Sequence, residues 1–385
     1  MLQPFRHLPR AKPLLANTAT RRIAVTAGLS GSFLASTSSL PPLGGTSTFV
    51  NHRARASQTA NEIRRVGMER GLVSCEWLRE ELDKESSDAH PICIVDATWY
   101  LPNSPFAAPE GSQGALAEYI SGPRLPGAVF FDIDGVATPH LAGVPHMLPD
   151  EERFATAMAE LGITHSTPVV VYDRHGIFSA PRFWYTLKVA FGHPAEVAVL
   201  DGGLPRWKEL GFPLEDAVAS GSTKTGPKDE WQRVAGTSWT LEEVKGNIDS
   251  QEALIVDARP AGRFLGTVPE PRAGMRGGHM PGSINVPFIN LLTAPPRMLR
   301  PPEELRTQLQ SAGVQLDQLE ANAGTSVVTS CGSGLTACVV GLAMHQLGLP
   351  LEKWAVYDGS WAEWGARQDT RIVRQAADGT EESVP

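Results

Sequence analysis

Short apolar runs alternate with longer mixed segments along most of the chain. Each run is four to six residues long and ends at an aspartate or a cysteine. Runs of this length are typical of strands buried in a parallel sheet, and the segments between them are long enough for helices. The pattern therefore predicts an α/β fold. The runs are Ile92–Asp96, Pro168–Asp173, Val197–Asp201, Leu254–Asp257, Ser326–Cys331 and Trp354–Asp358.

Helix starts are marked in both halves of the chain. Ser74 is a residue type typical of a helix N-cap, and Thr240-Leu241-Glu242-Glu243 has the spacing of a capping box. A third helical pattern, Thr336 to Leu347, follows Cys331 and contains few helix-breaking residues. These signals place the helices between the predicted strands.

The apolar runs form two copies of one pattern. Asp96 precedes Asp173 by 77 residues, and Asp257 precedes Cys331 by 74. These matching spacings in the two halves of the chain indicate a duplicated domain. We expect a first domain at residues 70–215, a linker rich in Ser, Thr, Gly and Lys at 216–236, and a second domain at 237–370. Residues 371–385 are polar, and we expect a frayed tail there.

Cys331 has the clearest chemical context in the chain. It lies between a predicted strand and a predicted helix, and the residues Gly332-Ser333-Gly334 follow it. Backbone N–H groups of such a loop, together with a helix start, stabilise a thiolate, which is the nucleophilic form of cysteine. The alternative is a small buried core residue. The equivalent position of the first copy is Asp173, so only the second copy carries a candidate nucleophile.

Composition narrows the class of protein. The chain has 385 residues, of which 42% are hydrophobic and 20% charged, as in soluble globular proteins of two domains. The net charge of −8 argues against nucleic-acid binding, and no apolar stretch is long enough to predict a membrane span. The four cysteines have neither disulfide-framework nor zinc-site spacing, which favours a reducing compartment.

The first 61 residues differ from the rest. They contain seven Lys and Arg residues and many Ser, Thr and Ala, and the first acidic residue is Glu62. This composition is typical of an organellar transit peptide, although an ordinary disordered tail is the alternative. We predict a mitochondrial presequence at residues 1–61 and a matrix location. The sequence is also compatible with a second, cytoplasmic form.

Several motifs follow one another in a fixed order: Asp96–Pro102, Phe130–Asp134, Pro145–Pro149, Ser179–Trp184, Gly262–Phe264, Glu270–Arg272, Gly278–Gly282 and the Cys331 loop. Together they resemble the two-domain rhodanese superfamily, and more closely the 3-mercaptopyruvate sulfurtransferases. The resemblance runs from about Leu72 to Arg367. It implies two tandem rhodanese-like domains, each a mostly parallel sheet flanked by helices, with a non-catalytic first domain and a catalytic second.

The Cys331 loop distinguishes members of this superfamily. Thiosulfate-preferring rhodaneses typically have Arg and Lys after the cysteine, whereas Gly332 and Ser333 follow here, as in the mercaptopyruvate enzymes. Rhodanese-fold phosphatases use a loop arginine to hold phosphate, and no Arg lies between Cys331 and Val340. The resemblance therefore implies 3-mercaptopyruvate as donor.

The resemblance also implies roles for individual residues. Cys331 would carry the sulfur, and Asp134, His146 and Ser333 would form a proton relay. Arg263 and Arg272 would bind the donor carboxylate or keto oxygen through guanidinium forks, although a surface ion pair is the common alternative for an Arg. Gly332, Gly334 and Thr336 would line the donor site, and Thr336 has an equally good alternative as a helix cap. No metal or organic cofactor is implied.

The resulting prediction is a sulfurtransferase that moves sulfur from 3-mercaptopyruvate to a small thiol, thioredoxin or cyanide through a Cys331 persulfide. Its partners would be these small molecules and thioredoxin, without nucleic acid or membrane. One alternative is a thiosulfate:cyanide sulfurtransferase. Another, of a different class, is a non-catalytic sulfur carrier or scaffold.

Overall fold

The three-dimensional structure is a computed structural model that describes Met68 and residues 70–84, 92–216, 226–321, 326–376 and 378–384. The predicted presequence, residues 1–61, and the middle of the predicted linker lie outside the described residues.

The first domain is built on a five-stranded sheet of order β1-β5-β4-β2-β3. Every neighbouring pair is parallel, and β4 lies at the centre between β5 and β2. The side chains of the three central strands are buried, because helices cover both faces of the sheet. The strands are β1 Leu72–Val73, β2 Cys93–Asp96, β3 Val129–Phe130, β4 Val169–Tyr172 and β5 Val197–Leu200.

The helices of this domain connect successive strands. Ser74 caps the first helix, accepting a hydrogen bond from the Trp77 N–H at 3.1 Å, as the sequence predicted. They are α1 Cys75–Lys84, α2 Ala115–Ser121, α3 Ile133–Val136, α4 Glu151–Leu161, α5 Ala180–Trp184, which continues as a π-helical turn Tyr185–Ala190, and α6 Gly203–Glu209.

The second domain repeats the same sheet, in the order β6-β10-β9-β7-β8, again with parallel neighbours. Because β9 now occupies the central place of β4, Cys331 and Asp173 follow equivalent strands. The strands are β6 Ser238–Trp239, β7 Ala253–Asp257, β8 Ile284–Asn285, β9 Ser326–Ser330 and β10 Trp354–Tyr357.

Two helices of the second domain begin where the sequence indicates, directly after Thr240 and directly after Thr336. The capping box at Thr240 is present, with hydrogen bonds in both directions between Thr240 and Glu243. The helices are α7 Leu241–Ser250, α8 Ala261–Phe264, α9 Pro302–Ser311, α10 Leu316–Ala321, α11 Ala337–Gln346 and α12 Ser360–Trp364, with 3₁₀ turns at Phe288–Leu291 and Leu351–Lys353. The predicted fold class, two tandem α/β domains with parallel sheets, is confirmed.

The two domains share one hydrophobic core. Trp184 of the first domain stacks on Trp354 of the second, with ring centroids 5.9 Å apart, and both are buried. Apolar side chains of both central strands belong to the same buried cluster. No helix in the described part of the chain is both long and apolar enough to cross a membrane.

The expectation of a frayed tail was wrong. Residues Ile372–Gln375 (β11) and Glu381–Val384 (β12) pair as an antiparallel hairpin. Ile372 is buried, and Val373 accepts a hydrogen bond from the His279 N–H at 2.8 Å. Most side chains of the hairpin are polar because only one face is covered, so the composition hides a segment held by backbone pairing.

The described part of the predicted linker also packs. Trp231 is buried and meets Phe154 edge to face, with ring centroids 5.3 Å apart. The tryptophan therefore anchors residues near it on the first domain.

A carboxylate at the domain interface leads to a pH prediction. Asp201, directly after β5, accepts a hydrogen bond from the Leu299 N–H of the second domain at 2.8 Å. Burial raises the pKa of Asp201 from 3.8 to about 6. Between these values the folded protein holds a proton that the unfolded chain releases, so the free energy of unfolding falls as pH rises through this window.

Asp201→Asn keeps an acceptor for Leu299 but removes this titration. Urea unfolding from pH 4 to 7 should show the variant gaining stability relative to the unsubstituted protein as pH rises. Parallel stability profiles for the two proteins would contradict the assignment.

Candidate active site

Cys331 lies directly after β9, at the carboxyl edge of the second sheet, where ligand loops of parallel sheets gather. The loop is attached to the start of α12. The Cys331 N–H donates to Ser360 Oγ at 3.2 Å, and the Cys331 carbonyl accepts from the Trp361 N–H at 3.0 Å. Cys331 is 2% exposed, so its sulfur lies at the bottom of the site.

The backbone of the Cys331 loop keeps hydrogen-bond donors available. Within the described part of the chain, the N–H groups of residues 332–336 have no acceptor. Gly334 has a φ of 76°, a left-handed conformation that favours glycine. Unpaired amides in a loop of this kind can bind an anion, so stabilisation of a thiolate stays a prediction.

The equivalent loop of the first domain closes on itself. Asp173 Oδ2 accepts hydrogen bonds from the N–H groups of Phe178, Ser179 and Ala180, each at 2.9 Å. Its other oxygen accepts from the His175 N–H, also at 2.9 Å. The carboxylate thus binds N–H groups of its own loop, including those of His175 and Phe178, whose counterparts at Ser333 and Thr336 have no acceptor among the described residues.

Two arginines from the segment after β7 approach the Cys331 loop. A Cβ on Gly332 would lie 3.4 Å from Arg263 Nη2, so the guanidinium covers this glycine. Arg263 donates to Glu270 at 2.5 and 3.0 Å, and the second Glu270 oxygen accepts from the buried Arg259 at 2.7 Å. Glu270 therefore fixes the orientation of Arg263.

Arg272 differs from Arg263 because it has no hydrogen-bond or ion-pair partner among the described residues. Burial lowers the pKa of Arg272 below its ordinary value, and the charges that act on it belong to Cys331, Arg263, Glu270 and Asp134. Its half-buried guanidinium therefore interacts electrostatically with Cys331 and, without a hydrogen-bonded anion among the described residues, is available to an anionic ligand.

Asp134 and His146 of the first domain form a pair. Asp134 Oδ1 lies 2.5 Å from His146 Nδ1, and Asp134 Oδ2 accepts from Trp99 Nε1 at 2.8 Å. Burial alone would raise the pKa of Asp134, but the hydrogen bonds from His146 and Trp99 outweigh it and lower that pKa. His146 Nε2 is buried and has no partner among the described side chains and backbone groups.

Among the described residues, Ser333 and Thr336 lack hydrogen bonds that their predicted roles would use. Ser333 is 7% exposed, and within the described residues its hydroxyl has no hydrogen bond to His146 or to any other group. The predicted relay is therefore joined at Asp134–His146 only. Thr336 precedes α11, but its side chain makes no capping hydrogen bond. Of its two predicted roles, the capping role has no support in this geometry.

The other cysteines have a different environment. Cys338 lies within α11, and burial raises its pKa to about 12. Burial likewise raises the pKa of Cys75 to about 12. All four cysteines are free thiols. A thiol that stays protonated is a poor nucleophile, so neither Cys338 nor Cys75 competes with Cys331.

Two functionally placed residues were not singled out from the sequence. Arg182 of α5 forms a buried ion pair with Asp358, directly after β10, at 2.6 Å. The sequence signal was limited to the presence of Arg182 in a recognised motif and of Asp358 at the end of an apolar run. Nothing in the sequence pairs the two residues.

Comparisons with known proteins agree with this architecture. The Rhodanese-like domain family matches residues 74–210 and 240–367. The chain therefore belongs to the rhodanese family and contains two tandem copies of its domain.

Relatives cover most of the chain. The mitochondrial thiosulfate/3-mercaptopyruvate sulfurtransferase 1 of Arabidopsis thaliana is 37% identical over 78% of this chain and 77% of its own length. Human 3-mercaptopyruvate sulfurtransferase is 38% identical over 77% of this chain and 93% of its own. The crystal structure of SseA from Escherichia coli, a 3-mercaptopyruvate sulfotransferase, is 34% identical and has a TM-score of 0.60, covering 76% of this chain and 98% of its own.

The arginines predict a charge preference in chemical labelling. Iodoacetate is an anion and iodoacetamide is neutral, so nearby guanidinium groups should favour iodoacetate at Cys331. We expect the iodoacetate-to-iodoacetamide rate ratio at Cys331 to exceed that of free cysteine, and Arg272→Ala to lower it. Peptide mass mapping of the native protein gives these rates, with Cys338→Ser as the control that leaves them unchanged. An equal ratio in the Arg272→Ala variant would refute the placement of this cation.

Proposed function

We propose that the chain is a sulfurtransferase that takes sulfur from 3-mercaptopyruvate onto Cys331 as a persulfide and releases pyruvate. The observation that carries the proposal is the Cys331 loop, whose N–H groups have no acceptor among the described residues and whose neighbouring cations, Arg263 and Arg272, stand outside the loop. Relatives bearing this activity in their names, at 37% and 38% identity, support it.

The first half-reaction needs a nucleophile and one proton transfer. The Cys331 thiolate attacks the donor sulfur, forming an S–S bond. The C–S bond of the donor breaks, and its electron pair moves to carbon as the enolate of pyruvate. The enolate takes up one proton and the donor thiol loses one, so the step balances without an added oxidant or reductant.

We assign the proton transfer to His146. Its Nδ1 is held by Asp134, which leaves Nε2 as the group that faces the reaction. A carboxylate in this position fixes the tautomer and the orientation of an imidazole. Ser333, in the same loop as the sulfur, would complete the relay when the donor is bound.

The arginines match the shape and charge of the donor. 3-Mercaptopyruvate carries a carboxylate and a keto oxygen, and planar guanidinium groups bind such oxygens with two parallel N–H donors. Arg272 has no competing anion in hydrogen-bond contact among the described residues, whereas Arg263 is oriented by Glu270. We assign the carboxylate to Arg272 and the keto oxygen to Arg263.

The second half-reaction regenerates Cys331. A thiolate or cyanide attacks the outer sulfur, and Cys331 leaves as a thiolate. A small thiol takes the sulfur as a new persulfide and cyanide takes it as thiocyanate. With thioredoxin, a dithiol acceptor, the second thiol displaces the sulfur as sulfide.

Thiosulfate is the second candidate donor, because the name of the Arabidopsis relative joins both donors.

We also propose that residues 1–61 direct the protein to mitochondria. Their acid-free, arginine-containing composition and the mitochondrial designation of that relative support this proposal.

A donor comparison tests the proposal. Because the loop lacks its own cations, we expect kcat/KM for 3-mercaptopyruvate to exceed that for thiosulfate by about tenfold or more, with cyanide as acceptor. Both donors are assayed with the same protein preparation, and Cys331→Ser gives the background rate. A higher kcat/KM for thiosulfate would instead establish the second candidate.

A further inference from the structure

Arg182 connects the two halves of the candidate site. Its side chain is 3% exposed and reaches one acceptor in its own domain and two in the second domain. Nη1 donates to the Gly334 carbonyl of the Cys331 loop at 3.2 Å, and Nη2 donates to the His146 carbonyl at 2.5 Å and to Asp358 Oδ1 at 2.6 Å. One guanidinium therefore contacts the loop of the candidate nucleophile and the backbone of the candidate proton carrier.

Asp358 completes this connection. Its second oxygen accepts from the Leu148 N–H at 2.7 Å, two residues after His146. His146 itself has a φ of 62°, which is uncommon for a residue with a side chain and persists only where the surroundings impose it. The hydrogen bonds on its carbonyl and on the Leu148 N–H fix the backbone that directly follows His146.

The Arg182 guanidinium stays protonated although it is buried. Burial acts to lower the pKa of the guanidinium, but the Asp358 carboxylate outweighs it and raises the pKa above its ordinary value. Lysine would keep the charge but has no planar fork to serve three acceptors at once.

Because the domain is duplicated, the contact between Leu148 and Asp358 has an equivalent elsewhere between the two domains, which we call the mirror contact. The mirror contact has no counterpart of Arg182. Pro145-His146-Met147-Leu148 of the first domain recurs as Pro296-Arg297-Met298-Leu299 of the second, and Arg297 also has a positive φ, of 57°. Leu299 donates to Asp201 as Leu148 donates to Asp358.

However, Arg182 follows Asp173 by nine residues, and the residue at the same distance after Cys331 is Val340. The domain contact thus forms on both sides of the molecule, whereas the arginine is present only on the Cys331 side. An element needed for domain packing alone would be expected on both sides.

We propose that Arg182 is a positioning residue of the sulfur-transfer reaction, which holds His146 at a fixed place over the Cys331 loop. The inference rests on the proposed function, and within it on the role of His146. Arg182 acts through His146 and not on the substrate. Its effect therefore belongs to the step that moves a proton and not to the step in which cyanide removes sulfur from Cys331.

The test separates the two half-reactions in Arg182→Lys. Pyruvate release in a single turnover with 3-mercaptopyruvate reports the first. Thiocyanate formation from desalted, preloaded protein and cyanide reports the second. We expect the first rate to fall on the order of 10- to 100-fold, as for a displaced catalytic group, and the second to stay within about twofold. Asp201→Ala, which removes the acceptor of Leu299 in the mirror contact, should leave both rates unchanged.

A double-variant cycle provides the second readout. If Arg182 acts through His146, Arg182→Lys should have little further effect on pyruvate release once His146→Ala is present. Thermal unfolding of each variant verifies folding, and Asp358→Asn replaces Arg182→Lys if the latter does not fold.

Three results would overturn the inference. Arg182→Lys could leave pyruvate release unchanged, slow both half-reactions equally, or slow pyruvate release as much in the His146→Ala background as alone. In each case the unsubstituted protein still turns over 3-mercaptopyruvate, so the proposed function stands. If the unsubstituted protein releases no pyruvate, the proposed function and this inference fail together.

Discussion

The buried ion pair between Arg182 and Asp358 is the interaction on which the arrangement of the site depends. The sulfur-bearing loop belongs to the second domain, and the Asp134–His146 pair belongs to the first. Two charges removed from water must be well paired, and loss of one partner typically costs about 3–5 kcal/mol of stability. A domain orientation that separated this pair would leave both charges buried without a partner, so the pair favours one orientation of the two domains.

Because the domain is duplicated, the loop after the central strand occurs twice. After Asp173 its N–H groups bind a carboxylate of the same loop, and after Cys331 they have no such partner among the described residues. Asp173 and Cys331 follow equivalent central strands, and each begins a loop of backbone donors. In the first domain the carboxylate accepts four of its own loop N–H groups, which leaves little for a ligand. In the second domain a thiol takes the place of the carboxylate, and the amides remain available to a charged sulfur. The two copies therefore differ in whether the residue after the central strand binds the N–H groups of its own loop.

The sequence predicted those features of the fold that are set by residues close to one another along the chain. The buried strands, the Thr240 capping box, the repeat and the position of Cys331 could be read from residues close in sequence. Arg182 and Asp358 are 176 residues apart and meet only because the domains pack as they do, so no pattern pairs them. The hairpin after Arg371 and the buried Trp231 were missed because their polar neighbours resemble those of a tail or a linker.

The central claim is that Cys331, and no other thiol, receives the sulfur. Peptide mass spectrometry under non-reducing conditions, after one equivalent of 3-mercaptopyruvate, tests it most directly. The account predicts a gain of one sulfur atom on the peptide containing Cys331, loss of this gain in Cys331→Ser, and its retention in Cys75→Ser. Sulfur on another cysteine, or an undiminished gain in Cys331→Ser, would contradict the account.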